Sequence, residues 1–173
     1  MLIKLYLAVF VIGLSYAAGY LYTLRYVKKE EYFSGLIRNF LQIEAQMEYS
    51  RTALPDLFSN VAEEGVGPGS TLFSLCAEKM KENGGMEFST LWRESVEEAF
   101  QKTSLSSEEK EKIKNLGELL GKTDLYEQKK NFLHIKGELD VLFENAHQVR
   151  VKNTKLLRSA FTSFGIMIVI ILI

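Results

Sequence analysis

LYEQKKNFLHIKGELDVLFENAHQV, from Leu125 to Val149, is the stretch that decides the fold. It contains no proline, and its apolar residues recur at the three- and four-residue spacing of one helical face. They are Leu125, Phe132, Leu133, Ile135, Leu139, Leu142, Phe143, Ala146 and Val149. Since nothing breaks this pattern before the apolar C-terminal run, we expect one long helix that leads into that run.

Both ends of the chain are apolar and uncharged. No charged residue occurs among the twenty residues 5–24 or the fifteen residues 159–173. Twenty helical residues rise about 30 Å, the thickness of a bilayer's hydrocarbon core, and the C-terminal run rises about 27 Å when it is counted from Leu156. Each end is therefore long enough for a transmembrane helix.

Basic residues flank both apolar runs on the side of the central stretch. They are Arg25, Lys28 and Lys29 after the first run, and Arg150, Lys152, Lys155 and Arg158 before the second. Such residues stay preferentially in the cytoplasm. We therefore expect a cell-membrane protein with an N-terminal transmembrane helix at 1–25, a cytoplasmic helical-bundle domain at 26–155, a C-terminal transmembrane helix at 156–173, and both termini outside.

A cleaved signal peptide is the alternative interpretation of the N-terminus. Lys4, the apolar core and the small-residue tract from Ser15 to Gly19 resemble its three regions. Against it, the apolar character continues to Leu24 and meets a basic stop, and cleavage would place the second basic cluster on the wrong side of the membrane.

Charge and composition argue against several functions. Lys4 is the only charged residue outside 25–158, which leaves 20 basic against 22 acidic residues there and disfavours nucleic-acid binding. Cys76 is the single cysteine and cannot form an internal disulfide. His134 and His147 have no cysteine cluster beside them, so neither a metal nor another cofactor is predicted.

The central stretch is predicted to be all-α, an antiparallel bundle of about six helices with Trp92 as a core anchor. The first bundle helix has an apolar stripe from Phe33 to Met47. The second helix is predicted to begin at Thr52 as N-cap and to stop at Gly65, and the third to begin at Ser70 as N-cap and to end at Asn83-Gly84-Gly85. The fourth contains an apolar face from Phe88 to Phe100, and a Ser106–Glu109 capping box starts the fifth.

One string resembles a nucleotide site. GELLGKT, from Gly117 to Thr123, ends like a P-loop, but it is one residue short and follows a helical pattern instead of a strand. Gly121 is better interpreted as a helix-ending residue before Asp124 caps the next helix. Adjacent carboxylates such as Glu97 and Glu98 diverge by about 100° on a helix and form no facing acid–base pair. No catalysis is predicted.

The order of these features resembles the stage III sporulation protein AB family of endospore-forming bacteria. The resemblance covers nearly the whole chain and rests on the N-terminal membrane helix with its basic stop, Thr52-Ala53-Leu54-Pro55-Asp56-Leu57, the Leu91-Trp92 pair, the Leu-Gly-x-x-Leu-Gly-x-Thr-Asp stretch from Leu116 to Asp124 with Gln128 beyond, and the C-terminal membrane helix. The Leu116–Asp124 stretch is the most specific of these.

The resemblance implies a cytoplasmic domain similar to that of the F platform protein of type II secretion and type IV pilus systems. It also implies a channel complex in the mother-cell membrane around the forespore, with a secretion-type ATPase as cytosolic partner. Secretion platform proteins usually carry two such domains and three membrane helices, whereas this chain has one domain and two helices. The expected function is a non-enzymatic assembly platform.

The platform hypothesis names two sets of contact residues. The domain would bind the ATPase through Leu54, Pro55, Asp56, Gly121, Lys122, Thr123 and Asp124. The membrane helices would contact lipid and other channel components through Gly13, Ser15, Ala17, Ala18 and Gly19, although these could equally serve contacts between the chain's own two segments. A homo-oligomer is left open.

Two functions of other classes are alternatives. One is an enzyme with a degenerate nucleotide-binding site at Gly121-Lys122-Thr123. The other is a two-helix membrane sensor with an external domain.

Overall fold

A computed structural model of the chain describes the backbone of residues 2–49, 53–65, 69–83, 85–120 and 125–172. The helices are α1 (Leu2–Tyr49), α2 (Leu54–Glu64), α3 (Ser70–Glu82), α4 (Phe88–Ala99), α5 (Ser107–Leu116) and α6 (Leu125–Leu172), with a 3-10 turn at Gly117–Leu119. No strand occurs in these ranges. The predicted all-α class is confirmed.

The chain forms two compact units. One, the terminal unit, combines Met1–Glu30 with Asn145–Ile173, and the other, the bundle unit, is Glu31–Glu144. The bounds of α1 and α6 show that each contributes residues to both units. The predicted single long helix from Leu125 is confirmed as α6, and the first apolar run and the first bundle stripe belong to one helix, α1.

Several predicted helix boundaries are confirmed. Gly65 and Asn83 are the C-caps of α2 and α3. Ser106 caps α5: its Oγ accepts a hydrogen bond from the Glu109 amide at 3.2 Å, and the Glu109 carboxylate accepts one from the Ser106 amide at 2.6 Å. Glycine breaks and reciprocal caps therefore locate these boundaries from sequence alone.

Two predicted N-caps are wrong by one residue. The N-cap of α2 is Ala53 instead of Thr52, because the Ala53 carbonyl already accepts from the Asp56 and Leu57 amides, at 3.0 and 3.1 Å. The N-cap of α3 is Gly69 instead of Ser70. A Cβ at Gly69 would lie 3.0 Å from the backbone of Gly35, so this position favours a residue without a side chain.

The core of the bundle unit is rich in aromatic side chains. The rings of Phe40, Phe58, Phe73 and Phe88 have centroids between 5.8 and 6.2 Å from that of Trp92. These are the separations at which tilted and edge-to-face aromatic pairs are favourable. Trp92 is completely buried, as predicted for a core anchor, and its indole N–H donates to the Ile113 carbonyl at 2.9 Å.

Among the residues that the structure describes, no helix is both long enough and apolar enough to cross a membrane.

Candidate interaction surfaces

Gly117 fixes the start of the Leu-Gly-x-x-Leu-Gly stretch against the core. A Cβ at this position would overlap Cδ1 and Cγ of the Trp92 ring. Its φ of −64° is ordinary for any residue, so the close approach of the indole is what requires glycine here. At the far end of the 3-10 turn, the Asn131 side-chain amide donates to the Leu119 carbonyl at 2.8 Å. Core contacts therefore position the turn that follows α5.

The proposed partner-binding residues Gly121, Lys122, Thr123 and Asp124 lie outside the described residues. What precedes them is described: α5 and then a 3-10 turn. A P-loop requires a strand at that place. The predicted difference between GELLGKT and a nucleotide site is therefore confirmed on its N-terminal side.

The first turn of α2 carries the other proposed partner-binding residues. Pro55 lies in the first turn, where its missing N–H leaves no helical hydrogen bond unmade. The Asp56 side chain is 63% exposed, and one of its carboxylate oxygens lies 4.0 Å from the Lys81 ammonium of α3. That ammonium also donates to the Ser59 hydroxyl at 2.9 Å.

An open groove of about 380 Å³ lies beside this turn, between α2 and α3. Its walls are formed by Ser59, Ala62, Glu63, Ser74, Ala77, Glu78, Lys81 and Glu82. Three carboxylates against one ammonium make the groove acidic. The groove and Asp56 form one negatively charged surface, which we call the α2–α3 surface.

The acidic residues of α4, in contrast, are paired with neighbouring helices. Glu97 lies 2.8 Å from the Lys114 ammonium of α5, which holds the pKa of that carboxyl below its usual range. Glu98 lies 3.2 Å from the Lys79 ammonium of α3 and raises the pKa of that lysine. The two adjacent carboxylates thus diverge, as predicted, and form no facing acid–base pair. Their ion pairs with α5 and α3 were not predicted.

Arg93 extends the ion pairs between α4 and α5. Its guanidinium lies 2.5 Å from the Glu111 carboxylate and donates to the Asn115 side chain at 3.2 Å. The guanidinium also holds the pKa of Glu111 below its usual range. No group of histidine, cysteine, aspartate and glutamate side chains suited to a metal ion occurs within the described ranges.

In the terminal unit, the small residues of α1 divide into two sets. A Cβ at Gly19 would lie 3.0 Å from Cβ of Phe161, and the Ser15 hydroxyl lies 3.1 Å from where a Cβ of Gly165 would stand. Gly13 has nothing within 4 Å of an added Cβ. Ala17 and Ala18 are exposed. Ser15 and Gly19 therefore pack against α6 of the same chain, and the other three have open space.

The terminal unit also contains an ionic cluster that the sequence did not predict. Glu30 lies 2.5 Å from Nε of Arg150 and 3.3 Å from Nδ1 of His147. The basic residues were identified only as membrane flanks, because their pairing with a carboxylate over a hundred positions away depends on the contact between α1 and α6. The acidic pair Glu30-Glu31 directly after Arg25, Lys28 and Lys29 was the available signal.

Comparison with known families decides the identity of the chain. The sequence model of the stage III sporulation protein AB family matches residues 4–173. The chain belongs to this family. A stage III sporulation protein AB from Bacillus subtilis (strain 168) is 26% identical over 171 residues, 99% of each chain. A solved structure of a stage III sporulation protein AB has a TM-score of 0.64 and 26% identity, and the match covers 72% of this chain and 97% of the solved chain.

Membership in the stage III sporulation protein AB family confirms the predicted resemblance. The family name assigns the chain to sporulation, and it is not the name of an enzyme family. Within this family member, the role of Gly117 was missed by sequence reasoning, which interpreted it as the first glycine of a P-loop-like string. A glycine inside a helical pattern was the signal that a large side chain packs there.

Proposed function

We propose that the chain is a non-enzymatic membrane platform of a sporulation-specific, secretion-like channel complex. Its bundle unit docks a cytosolic secretion-type ATPase, and its apolar helical ends hold it in the mother-cell membrane around the forespore and contact other channel components. The observation that supports this most strongly is the family match over residues 4–173, since that range includes both apolar ends and the helices between them.

The surface of the terminal unit supports membrane insertion. Large apolar side chains are exposed on both of its helices, for example Tyr6 of α1 at 75% and Ile170 of α6 at 72%. Others are Val9, Phe10, Leu14, Leu21, Phe164, Ile166 and Met167. Exposed apolar surface on this scale is unfavourable in water and favourable against acyl chains.

Tyrosine and arginine lie together where the uncharged runs end. Cζ of Arg25 is 3.7 Å from the ring centroid of Tyr22 and 4.9 Å from that of Tyr26. Cζ of Arg158 is 5.9 Å from the ring centroid of Tyr20. Tyrosines concentrate at membrane interfaces, and basic residues concentrate on the cytoplasmic side. This supports an inner interface at these residues and a cytoplasmic bundle unit.

The α2–α3 surface is the proposed docking face for the ATPase. It contains Asp56, which the platform hypothesis names as a candidate contact, and the groove adds Glu63, Glu78 and Glu82. Complementary charge fixes orientation and speeds encounter. We infer that the ATPase presents a basic surface to this face. Gly13, Ala17 and Ala18, which have open space, are the proposed contacts for other membrane components.

Co-purification of the ATPase with the full chain from sporulating cells tests the docking face. Asp56→Asn combined with Glu63→Gln should reduce the recovered ATPase severalfold, because it removes two negative charges from the proposed docking face. Both side chains are exposed, so their replacement leaves the core intact. Lys122→Gln tests the other proposed ATPase contact, at residues 121–124, in the same assay. Glu108→Gln, which removes a still more exposed carboxylate from the start of α5, is the control.

Unchanged recovery in the double variant, with an unchanged melting temperature, would remove the α2–α3 surface from the proposal. Equal losses in the double variant and in Glu108→Gln would show a general charge effect instead of a docking face.

A further inference from the structure

A basic cavity of about 460 Å³ lies in the terminal unit. It is lined by Val27 of α1 and by Arg150, Val151, Thr154, Lys155 and Arg158 of α6. The α6 residues recur one helical turn apart, so they share one face of that helix. The lining has three cations and no carboxylate, and Glu30, which is paired with Arg150, offsets only one of those charges.

Thr154 lines this cavity, and its hydroxyl is unsatisfied in the wall behind the accessible surface. Its Oγ1 is buried and has no hydrogen-bond partner among the described residues. In a helix a threonine hydroxyl ordinarily bonds the carbonyl one turn earlier. A buried hydroxyl without a partner is unfavourable, so rotation of the Thr154 side chain toward an acceptor in the cavity would stabilise it. The cavity thus offers three cations and, after that rotation, a hydroxyl donor, and groups of this kind bind phosphate oxygens.

The position of the cavity along α6 favours a lipid as the source of that phosphate. Thr154 is five residues from Ser159, the first residue of the uncharged run, or about 8 Å along a helix axis. The headgroup layer of a bilayer is about 5–8 Å thick on each side. Two valines also line the cavity, and Leu156 beside it is exposed, which suits the glycerol and upper acyl carbons of a lipid.

We propose that this cavity binds the phosphate of an anionic phospholipid, with the Thr154 hydroxyl, Lys155 and Arg158 as its donors and Arg150 held in place by Glu30. The inference rests on the proposed membrane anchoring. The site makes the membrane contact of the terminal unit selective for anionic lipid, in addition to its apolar contact with acyl chains.

Lipid titration of the full chain in a zwitterionic detergent tests the site, with native mass spectrometry and the melting temperature as readouts. The probes are phosphatidylglycerol, phosphatidylcholine and inorganic phosphate. Phosphatidylglycerol should bind and raise the melting temperature. The variant with Lys155→Gln and Arg158→Gln should bind it about 25-fold more weakly, about fivefold for each charge removed. Thr154→Val should weaken binding about tenfold without disturbing an internal hydrogen bond.

Lys152→Gln is the matched control, since Lys152 lies on the same helix outside the cavity. It should change phosphatidylglycerol binding less than twofold. Equal binding of phosphatidylcholine, an unchanged Thr154→Val variant, or a Lys152→Gln loss of about fivefold, the loss expected for each cation removed from the cavity, would overturn the site. An equal effect of inorganic phosphate would overturn its assignment to lipid.

Membrane fractionation of the same variants separates this site from the anchoring on which it rests. A chain that sediments with membranes but shows no preference for phosphatidylglycerol overturns the cavity alone. A wild-type chain that stays in the supernatant overturns the proposed anchoring as well.

Discussion

The two glycines Gly117 and Gly137 have opposite surroundings. An added Cβ at Gly117 would overlap the Trp92 ring, whereas at Gly137 it would meet nothing within 4 Å. We predict that Gly117→Ala lowers the free energy of unfolding by about 1–3 kcal/mol through overpacking. Gly137→Ala should raise it by about 0.5–1 kcal/mol, because alanine restricts the unfolded chain and favours helix.

Fluorescence of Trp92, the only tryptophan, measures both effects in denaturant unfolding of the full chain. Gly137→Ala is the matched control for the substitution itself. Equal changes of the same sign in the two variants would contradict the packing of Trp92 on Gly117.

Cys76 makes a prediction about pH. Burial raises the pKa of its thiol to about 12. Because the unfolded thiol has a pKa of about 8.5, its contribution to stability is complete below that value and is lost as the pH rises toward about 12. Iodoacetamide at pH 8 should therefore modify the folded chain far more slowly than the urea-unfolded chain.

The slope of stability against pH above about 8.5 checks the same point. It should be smaller in Cys76→Ala than in the wild type, and lysine deprotonation affects both proteins alike. Rapid alkylation of the folded chain, or identical slopes, would contradict the burial of this thiol.

At the scale of the element, the start of α5 depends on one reciprocal cap. Ser106→Ala removes the hydroxyl that accepts from the Glu109 amide, and it should lower the free energy of unfolding by about 1 kcal/mol. Ser107→Ala, which changes the adjacent exposed serine, should stay within about 0.5 kcal/mol. Denaturant unfolding measures both. A Ser107 effect as large as that of Ser106 would contradict the capping box.

Local chemistry explains why the helices themselves could be predicted from sequence. The Ser106–Glu109 cap, the Gly65 end and the unbroken apolar pattern from Leu125 each depend on neighbouring residues only. The N-caps at Ala53 and Gly69 could not be predicted from the side-chain preferences of Thr52 and Ser70. The Ala53 carbonyl accepts from two later amides, and Gly69 closely approaches Gly35.

Contacts between distant elements were beyond sequence reasoning. The prediction placed Leu54, Pro55 and Asp56 at a helix start, where the structure has them. It did not include the groove beside them, because the groove exists only through the pairing of α2 with α3. For the same reason the sequence indicated membrane-flanking cations but not the cavity that Arg150, Lys155 and Arg158 share with Val27.

At the scale of the whole molecule, the distribution of charge carries the argument. Residues 5–24 and 159–173 are uncharged, and basic residues follow the first run and precede the second. The ATPase-docking face requires the bundle unit to be in the cytoplasm, and the lipid site requires residues 150–158 to be at the inner interface. Both proposals therefore depend on one topology.

Reporter fusions after Gly85, in the connection between α3 and α4, test that topology most directly. We predict that a green fluorescent protein fused there is fluorescent and sediments with membranes, and that alkaline phosphatase fused there is inactive. Active phosphatase with a dark fluorescent protein, or a fluorescent fusion that remains in the supernatant, would contradict a cytoplasmic bundle unit held at the membrane by both ends of the chain.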